Sequence, residues 1–231
     1  MNLQNNVKVA IPRVNICVAR LEIDSNRQIS ATQLRGFLGY LFINDPEFHH
    51  HSESPFHYPL VQYKIISNKL SIVGINEYSF SVFRKISQLE SLVLPYEKVK
   101  VVNVELSMQS AEIKKENNMR KYKFLSPWIA LNENNYLSYK NLNDENYRRQ
   151  FLERILIGNI LSALKGMNIH IEFQIKGSIQ NYRSVSAVAH SNRFQAFFAD
   201  INTNISIPAY IGLGKSVSKG FGTLEEVASS C

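Results

Sequence analysis

Four of the chain's six histidines fall in one stretch, Phe48-His49-His50-His51-Ser52-Glu53-Ser54-Pro55-Phe56-His57-Tyr58. An imidazole with its ordinary pKa near ~6.5 can take or give a proton at neutral pH, and two together can do both in one step. Three adjacent histidines are costly to bury, so a loop on a rigid support suits them better than a core. The plain alternative is a solvated loop with one structural histidine. A zinc site is the other reading, with His49, His51 and His57 joined by Asp45 or Glu53 as nitrogen and oxygen donors. That spacing matches no closed structural zinc site, and no His-Glu-x-x-His helix accompanies it. No metal is expected.

The second group is Gly212-Leu-Gly-Lys-Ser-Val-Ser-Lys-Gly-Phe-Gly222, which gathers four of the ten glycines with two lysines and two serines. Glycine carries no Cβ, so its backbone N–H groups can approach an anion closely. Lys215 and Lys219 would add charge, and Ser216 and Ser218 hydroxyl donors. Such a loop suits a phosphate backbone, although a long loop that only closes a sheet would read similarly. Ala209-Tyr-Ile-Gly-Leu-Gly-Lys-Ser216 imitates a relaxed Walker A pattern. A P-loop needs a helix directly after its Lys-Ser and a later magnesium-binding aspartate. Val217-Ser-Lys-Gly-Phe-Gly222 is hostile to a helix, and Val217 stands where a dinucleotide fingerprint needs its third glycine. Both nucleotide readings fail.

The elements that must carry these groups alternate between strand and helix. Val14 to Ile23 is an apolar, β-branched strand, and Ser30 caps a helix through Phe42 with Leu34, Phe37, Leu38 and Leu41 at helical spacing. Strands at Leu60–Ile66 and Leu70–Gly74 are joined by the turn Ser67-Asn-Lys69. A helix through Ser79 to Leu92 and a strand through Val99 to Leu106 complete a β-α-β-β-α-β order, the ferredoxin-like unit. The second half opens with an extended Lys121–Leu131. A helix over Asn143–Lys165 follows, striped by Phe151, Leu152, Ile155, Leu156, Ile160, Leu161 and Leu164 and closed by Gly166. Strands at Ile169–Ile175, Tyr182–His190 and Arg193–Ile201 come next, with Asn192 at the turn. The second crossover helix is hard to find, since Ile207 to Gly222 is occupied by a strand end and the glycine-rich loop. The expected class is therefore α+β: two tandem ferredoxin-like (βαββαβ, RRM-like) halves, the second degraded. The expected domains are 1–113, with the histidines, and 114–231, with the glycine-rich loop.

Composition bounds the rest. In 231 residues, 45% are hydrophobic, enough for a core, so wholesale disorder is excluded. The longest apolar run, Ile155 to Leu164, is broken by Gly158 and Asn159 and is too short to span a bilayer. The first residues have neither a basic start nor an apolar core, and Cys17 and Cys231 make no disulfide framework, so a cytoplasmic protein is expected. Cys17 reads as a buried thiol. The 26 Lys and Arg against 19 Asp and Glu leave a net charge of +7, a surface that attracts polyanions, nucleic acid first among them.

In this order, the motifs resemble one family. The glycine-rich loop is similar to that of the repeat-associated mysterious protein superfamily. Leu34-Arg-Gly-Phe-Leu-Gly39, Phe48-His49-His50-His51 and Tyr58-Pro-Leu-Val-Gln-Tyr-Lys64 resemble the CRISPR-associated endoribonuclease that processes precursor CRISPR RNA. The resemblance implies metal-independent, cofactor-free cleavage of CRISPR repeat RNA by 2′-hydroxyl attack, leaving a 2′,3′-cyclic phosphate and a 5′-hydroxyl. It places the family's Phe-His-x-His on His49 and His51, one as base and one as acid, and suggests Lys64 for charge stabilisation. RNA binding would fall to Lys215, Ser216, Ser218 and Lys219, with Arg183 and Arg193 on the nearby hairpin. Tyr58 or Tyr63 would stack bases or serve as half-buried support. The expected partner is precursor CRISPR RNA, with a CRISPR effector complex as a further one and no membrane; the family includes monomers and dimers. Two alternatives stand beside the enzyme: a non-catalytic RNA-binding subunit of an effector complex, and a zinc hydrolase.

Overall fold

The structure is a computed structural model that describes residues 11–45, 48, 58–94, 97–189 and 191–228. The first half runs β1 (Arg13–Ile23), α1 (Ala31–Leu41), β2 (Val61–Ile66), β3 (Lys69–Ile75), α2 (Glu77–Ile86), β4 (Ser91–Leu94) and β5 (Glu97–Glu112). Its sheet has the order β2-β3-β1-β5-β4, with β1 antiparallel to both β3 and β5. Strand β1 is buried on both faces because its alternation serves two cores. Cys17, Ala19 and Leu21 pack under the two helices, and Val14, Ile16 and Val18 face the second half. Burial pushes the Cys17 thiol up to about 11, so it is an inert core residue, as its apolar setting predicts.

Local chemistry sets the boundaries. Ser30 opens α1 with a capping box, its hydroxyl accepting the Gln33 amide while Gln33 reaches back to the Ser30 amide. Ser67 and Asn68 both take positive φ, 50° and 61°, the geometry of a tight two-residue hairpin. Sequence spacing carries α2 on to Leu92, but the helix ends at Ile86 and β4 pairs with β5 instead. Val82, Ile86, Leu89 and Leu92 keep helical spacing because all four line the same core.

The second half runs β6 (Lys115–Phe124), α3 (Glu133–Lys140), α4 (Glu145–Gly166), β7 (Gly177–Ala189), β8 (Asn192–Ile205), a single 3-10 turn at Val217–Lys219, and β9 (Leu224–Glu226). Its sheet order, β7-β8-β6-β9, reproduces β2-β3-β1-β5 of the first half. Here the second crossover helix has shrunk to that one turn inside the glycine-rich loop, so the molecule is α+β with two ferredoxin-like halves, the second degraded. Strand β8 sits inside this sheet and α4 buries Leu152, Leu156, Ile160, Ala163 and Leu164 in the core they share; Leu161 of the expected stripe is exposed. The Ile169–Ile175 segment alternates in burial but is not a strand. The Asn204 side chain takes the place of a partner strand, accepting from the Lys176 amide and donating to the Gln174 carbonyl. No helix among the described residues is long and apolar enough to cross a membrane.

The two halves share one core. Val14, Ile16, Val18, Ile66, Val73 and Ile75 of the first sheet pack in the same cluster as Tyr122, Phe124, Ile201, Ile205 and Leu224 of the second. The end of α4 closes this seam. Gly166 is its last helical residue rather than a cap, and a side chain there would run into the Tyr58 Cβ. Asn76 donates to the Met167 carbonyl at 3.1 Å across the same seam, and Asn168 takes the left-handed position that ends the helix. Two glycines of α4 should therefore respond in opposite directions. Gly166→Ala should destabilise the protein by about 1–3 kcal/mol through overpacking against Tyr58. Gly158→Ala, on the open face with nothing near its Cβ, should stabilise it by roughly 0.5–1 kcal/mol. Denaturant midpoints of the two variants check the pair.

Candidate active site and nucleic-acid interface

The N-terminal part of α1, strand β2 and the loop Gly212–Gly222 meet at one junction. The loop is held there by its backbone. The Gly212 amide donates to Gln62 Oε1 at 2.9 Å, and its carbonyl accepts the Tyr58 hydroxyl at 2.8 Å. Gln62 is itself fixed by donating to the Pro59 carbonyl. At the other end Gly220, with φ of 95°, lies so close to α1 and β2 that a Cβ would come within 2.8 Å of Ala31 Cβ and 3.2 Å of the Tyr63 carbonyl.

The glycines thus serve close packing more than an open cradle of amides. The N–H groups of Gly212, Leu213, Lys215, Lys219, Gly220 and Gly222 are all bonded within the chain, to Gln62, Gly222, Ile129, Ser216, Val217 and Pro127 respectively. Those six amides are therefore not open to an anion. Ser218 is buried beneath the loop and withdrawn from the surface, whereas Ser216 is half-buried in the left-handed conformation and Lys215 is exposed.

Lys64 takes a place that sequence alone does not suggest. It is 0% exposed, and its ammonium lies 3.5 Å from the Val217 carbonyl, under the loop. A Cβ on Gly212 would come within 2.9 Å of that ammonium. Burial drives its pKa down to about 7, since an ammonium out of water loses hydration. Lys64 therefore does not reach a surface phosphate directly; its contacts are with the loop. Tyr63, 1% exposed, is likewise support rather than a stacking platform, and its hydroxyl donates to the Phe48 carbonyl at 3.2 Å.

The cation that sequence reasoning misses is Arg35, the arginine of Leu34-Arg-Gly-Phe-Leu-Gly39. Its charge acts on both Lys219 and Tyr63; the Lys219 ammonium is lowered first by burial and then by Arg35. Two like charges so placed repel one another, and an anion between them relieves that cost. The clue in the sequence is position, since Arg35 lies one turn into the helix that precedes the histidines.

His49 and His51 lie outside the described residues, as do His50, Glu53 and His57 of the histidine and zinc readings. The residues that flank them are fixed. Phe48 is buried, packs on Phe42 with ring centroids 4.5 Å apart, and gives its carbonyl to Tyr63; Tyr58 is tied to Gly212. Both flanks therefore attach to β2 and the glycine-rich loop. Asp45 is engaged by Lys85 in an ion pair, and no group of three or more metal-ligating side chains occurs among the described residues.

The remaining cations lie at the opposite end of the loop. Lys215 Nζ stands 5.9 Å from the centroid of Phe194 on β8. Arg193 is the exposed neighbour of Phe194 at the β7–β8 turn. Arg183 stacks 4.3 Å over Phe198, further along the hairpin. The loop thus joins Lys219 and Arg35 at one end to Lys215 and the hairpin at the other.

Two family descriptions match nearly the whole chain: the Cas6b N-terminal domain over 14–112 and the Cas6b C-terminal domain over 114–227. The chain belongs to the Cas6b family. A solved structure described as a crystal structure of Cas6b is 29% identical, covering 93% of this chain and 99% of its own, with a TM-score of 0.82. Another, described as CRISPR RNA processing endoribonuclease Cas6b, is 29% identical over 94% of this chain and all of its own, with a TM-score of 0.73. An uncharacterized protein of Methanocaldococcus jannaschii is 42% identical over 142 residues, 62% of this chain and 96% of its own. As a Cas6b-family chain this is an endoribonuclease of CRISPR RNA processing.

The buried lysine gives a test of that junction. Its folded-state pKa lies below the ordinary value of 10.5, so between about 7 and 10.5 the unfolded chain binds the proton more tightly. The stability linked to Lys64 thus rises with pH across that window, by at most about 1.4 kcal/mol per unit, and is lost again as pH falls to 7. Lys64→Met should be more stable than the parent near pH 7, with the gap closing toward pH 10; thermal melts of both proteins at stepped pH check this.

Proposed function

We propose that the chain cuts CRISPR repeat RNA, the precursor of CRISPR RNA, by attack of a ribose 2′-hydroxyl on the adjacent phosphate, without a metal. The new bond joins the 2′-oxygen to phosphorus, and the bond from phosphorus to the 5′-oxygen breaks. One of His49 and His51 takes the 2′-proton and the other gives a proton to the departing 5′-oxygen, leaving a 2′,3′-cyclic phosphate and a 5′-hydroxyl. The extra negative charge on phosphorus needs cationic donors placed in advance. Arg35 and Lys219 fill that role in this reading, and the observation that supports it is the close packing of the loop's 3-10 turn on α1 and β2, with Gly220 against Ala31 and Tyr63, beside the anchors of the histidine segment.

Lys64 is then a positioning residue that seats the loop holding Lys219, with Ser218 buried in the same support. Lys215 and Ser216 on the loop, with Arg193 and Arg183 on the hairpin, hold the RNA backbone. Repeat RNA is well suited to such a surface, because protein reads RNA through phosphates, shape and splayed bases rather than the deep A-form major groove.

In excess chelator the protein should cut its cognate repeat RNA and leave untouched a copy with 2′-deoxyribose at the scissile position. His49→Ala and His51→Ala should each lower the cleavage rate at least ~100-fold, the scale of lost acid–base catalysis, with RNA binding retained. Full activity of the double variant would remove the histidines from the mechanism. A retarded band with no cleavage product from either RNA would point to a binding subunit, and cleavage abolished by chelator alone would favour the zinc reading.

A further inference from the structure

The strand register divides the β7–β8 hairpin into two faces. Tyr182, Phe197 and Ala199 turn inward to the core they share with α4, and Ser184, Ser186, Gln195 and Arg193 lie on that same side. Arg183, Val185, Phe194, Ala196 and Phe198 take the outer face. There Phe194 packs with Val185, Ala196 and Ile129 and with Phe221 of the glycine-rich loop, so the loop borders this face. Lys215 Nζ stands 5.9 Å from the Phe194 ring centroid, and the Arg183 guanidinium lies 4.3 Å over the Phe198 ring. Both rings are half-buried, and both cations are exposed.

Strand β6 extends this face. Its Lys121 and Lys123 stand opposite Asn202 and Asp200, on the side away from buried Tyr122 and Phe124. Among the described residues the carboxylates here are Asp200 and Glu225, and both belong to Lys123. Asp200 lies opposite it in register, and Glu225 pairs with it at 2.9 Å. Arg183, Lys215 and Lys121 have no carboxylate partner among the described residues.

A sheet face with cations held over aromatic rings suits single-stranded nucleic acid. A guanidinium whose inner side rests on a ring offers its outer side to a base, because bases stack on arginine planes as well as on aromatic ones. The Phe198 ring fixes the Arg183 plane beforehand, which lowers the cost of ordering it on binding. The largest opening on the other half, near Ser87 to Ser91 and Lys98 to Val104, has lysines but no aromatic ring. Tyr58 and Tyr63 cannot serve, being committed to the Gly212 and Phe48 carbonyls.

We propose that this outer sheet face carries a single-stranded stretch of the substrate RNA, one base stacked on the Arg183–Phe198 pair, with phosphates on Lys215 and Lys121. The proposal rests on the reading of the chain as an RNA-cutting enzyme. It adds a path for the strand, leading from the Lys215 end of the loop away from the scissile phosphate. A duplex hides its base faces within the stack, so the RNA on this face is unpaired.

The test uses the whole protein and repeat RNAs with 2′-deoxyribose at the scissile position, each carrying one abasic nucleotide. At one position the abasic site should weaken binding to the parent about 5- to 150-fold, the range for losing one stacked base. Arg183→Lys keeps the charge but loses the stacking plane. It should weaken binding of the intact RNA to the same degree, with an unchanged salt dependence, and the abasic site should weaken it no further. Phe198→Leu should behave alike; melting curves show whether it keeps its fold, and the exposed Arg183→Lys decides the matter if it does not. Binding by Arg183→Lys as tight as the parent's overturns the proposal, as do abasic sites that cost this variant as much as the parent at every position. A parent that binds the repeat and cuts its unmodified form, with no position sensitive to base removal, overturns it too and leaves the enzyme reading standing. A parent that neither binds nor cuts the repeat defeats the enzyme reading, and this proposal with it.

Discussion

The seat of the glycine-rich loop on β2 is the contact on which the rest of the molecule depends. In a complete ferredoxin-like half a second helix covers the sheet; here that helix is reduced to Val217–Lys219. The uncovered apolar face cannot be left in water. The first sheet covers it instead, which is why Val14, Ile16 and Val18 share a cluster with Tyr122, Ile201 and Leu224. The two halves are therefore interdependent through their cores, and the loop closes the seam between them. Tyr58 and Gln62 bond both polar groups of the Gly212 peptide residue, so the loop's position is set by hydrogen bonds as well as by packing.

That arrangement sorts the lysines into two kinds. Lys64 lies within the seam, where its charge costs stability and its ammonium meets the Val217 carbonyl of the loop. Lys215 is exposed on the same loop, and Lys219 is half-buried where the loop meets α1. The net charge of +7 by itself only biases the surface toward nucleic acid. The loop gives part of that charge a fixed place by packing its 3-10 turn against α1, where Gly220 meets Ala31.

Much of this was legible in the residues. Strand β1, the Ser30 cap of α1 and the Ser67-Asn68 turn follow from local chemistry that tertiary packing does not override. The missing crossover helix was legible as well, because four glycines in eleven residues oppose a helix. What failed did so for identifiable reasons. Leu89 and Leu92 continue the helical period of α2 only because helix and strand face one core. Ile169–Ile175 alternates as a strand should, but its hydrogen-bond partner is the Asn204 side chain. The burial of Lys64 and the approach of Arg35 to Lys219 arise from residues far apart in the chain, and no local pattern announces either. The histidines, the plainest chemical signal in the sequence, fall outside the described residues, so their roles rest on sequence and on their fixed neighbours.

The loop also links two tasks that an RNA-cutting enzyme must keep in step. Lys219 faces α1 and Lys215 faces the hairpin, four residues apart, so their backbones can be separated by no more than about 14 Å. A 3-10 turn occupies most of that span and shortens it further. Gripping the RNA at one end of so short and internally bonded a segment restricts where the strand can lie at the other. Proximity of this kind lowers a barrier only when the geometry is held firmly. The hydrogen bonds of Gly212, Lys215 and Gly222 supply that firmness without any contact to substrate, so the residues that consume the loop's amides are the ones that make its side chains effective.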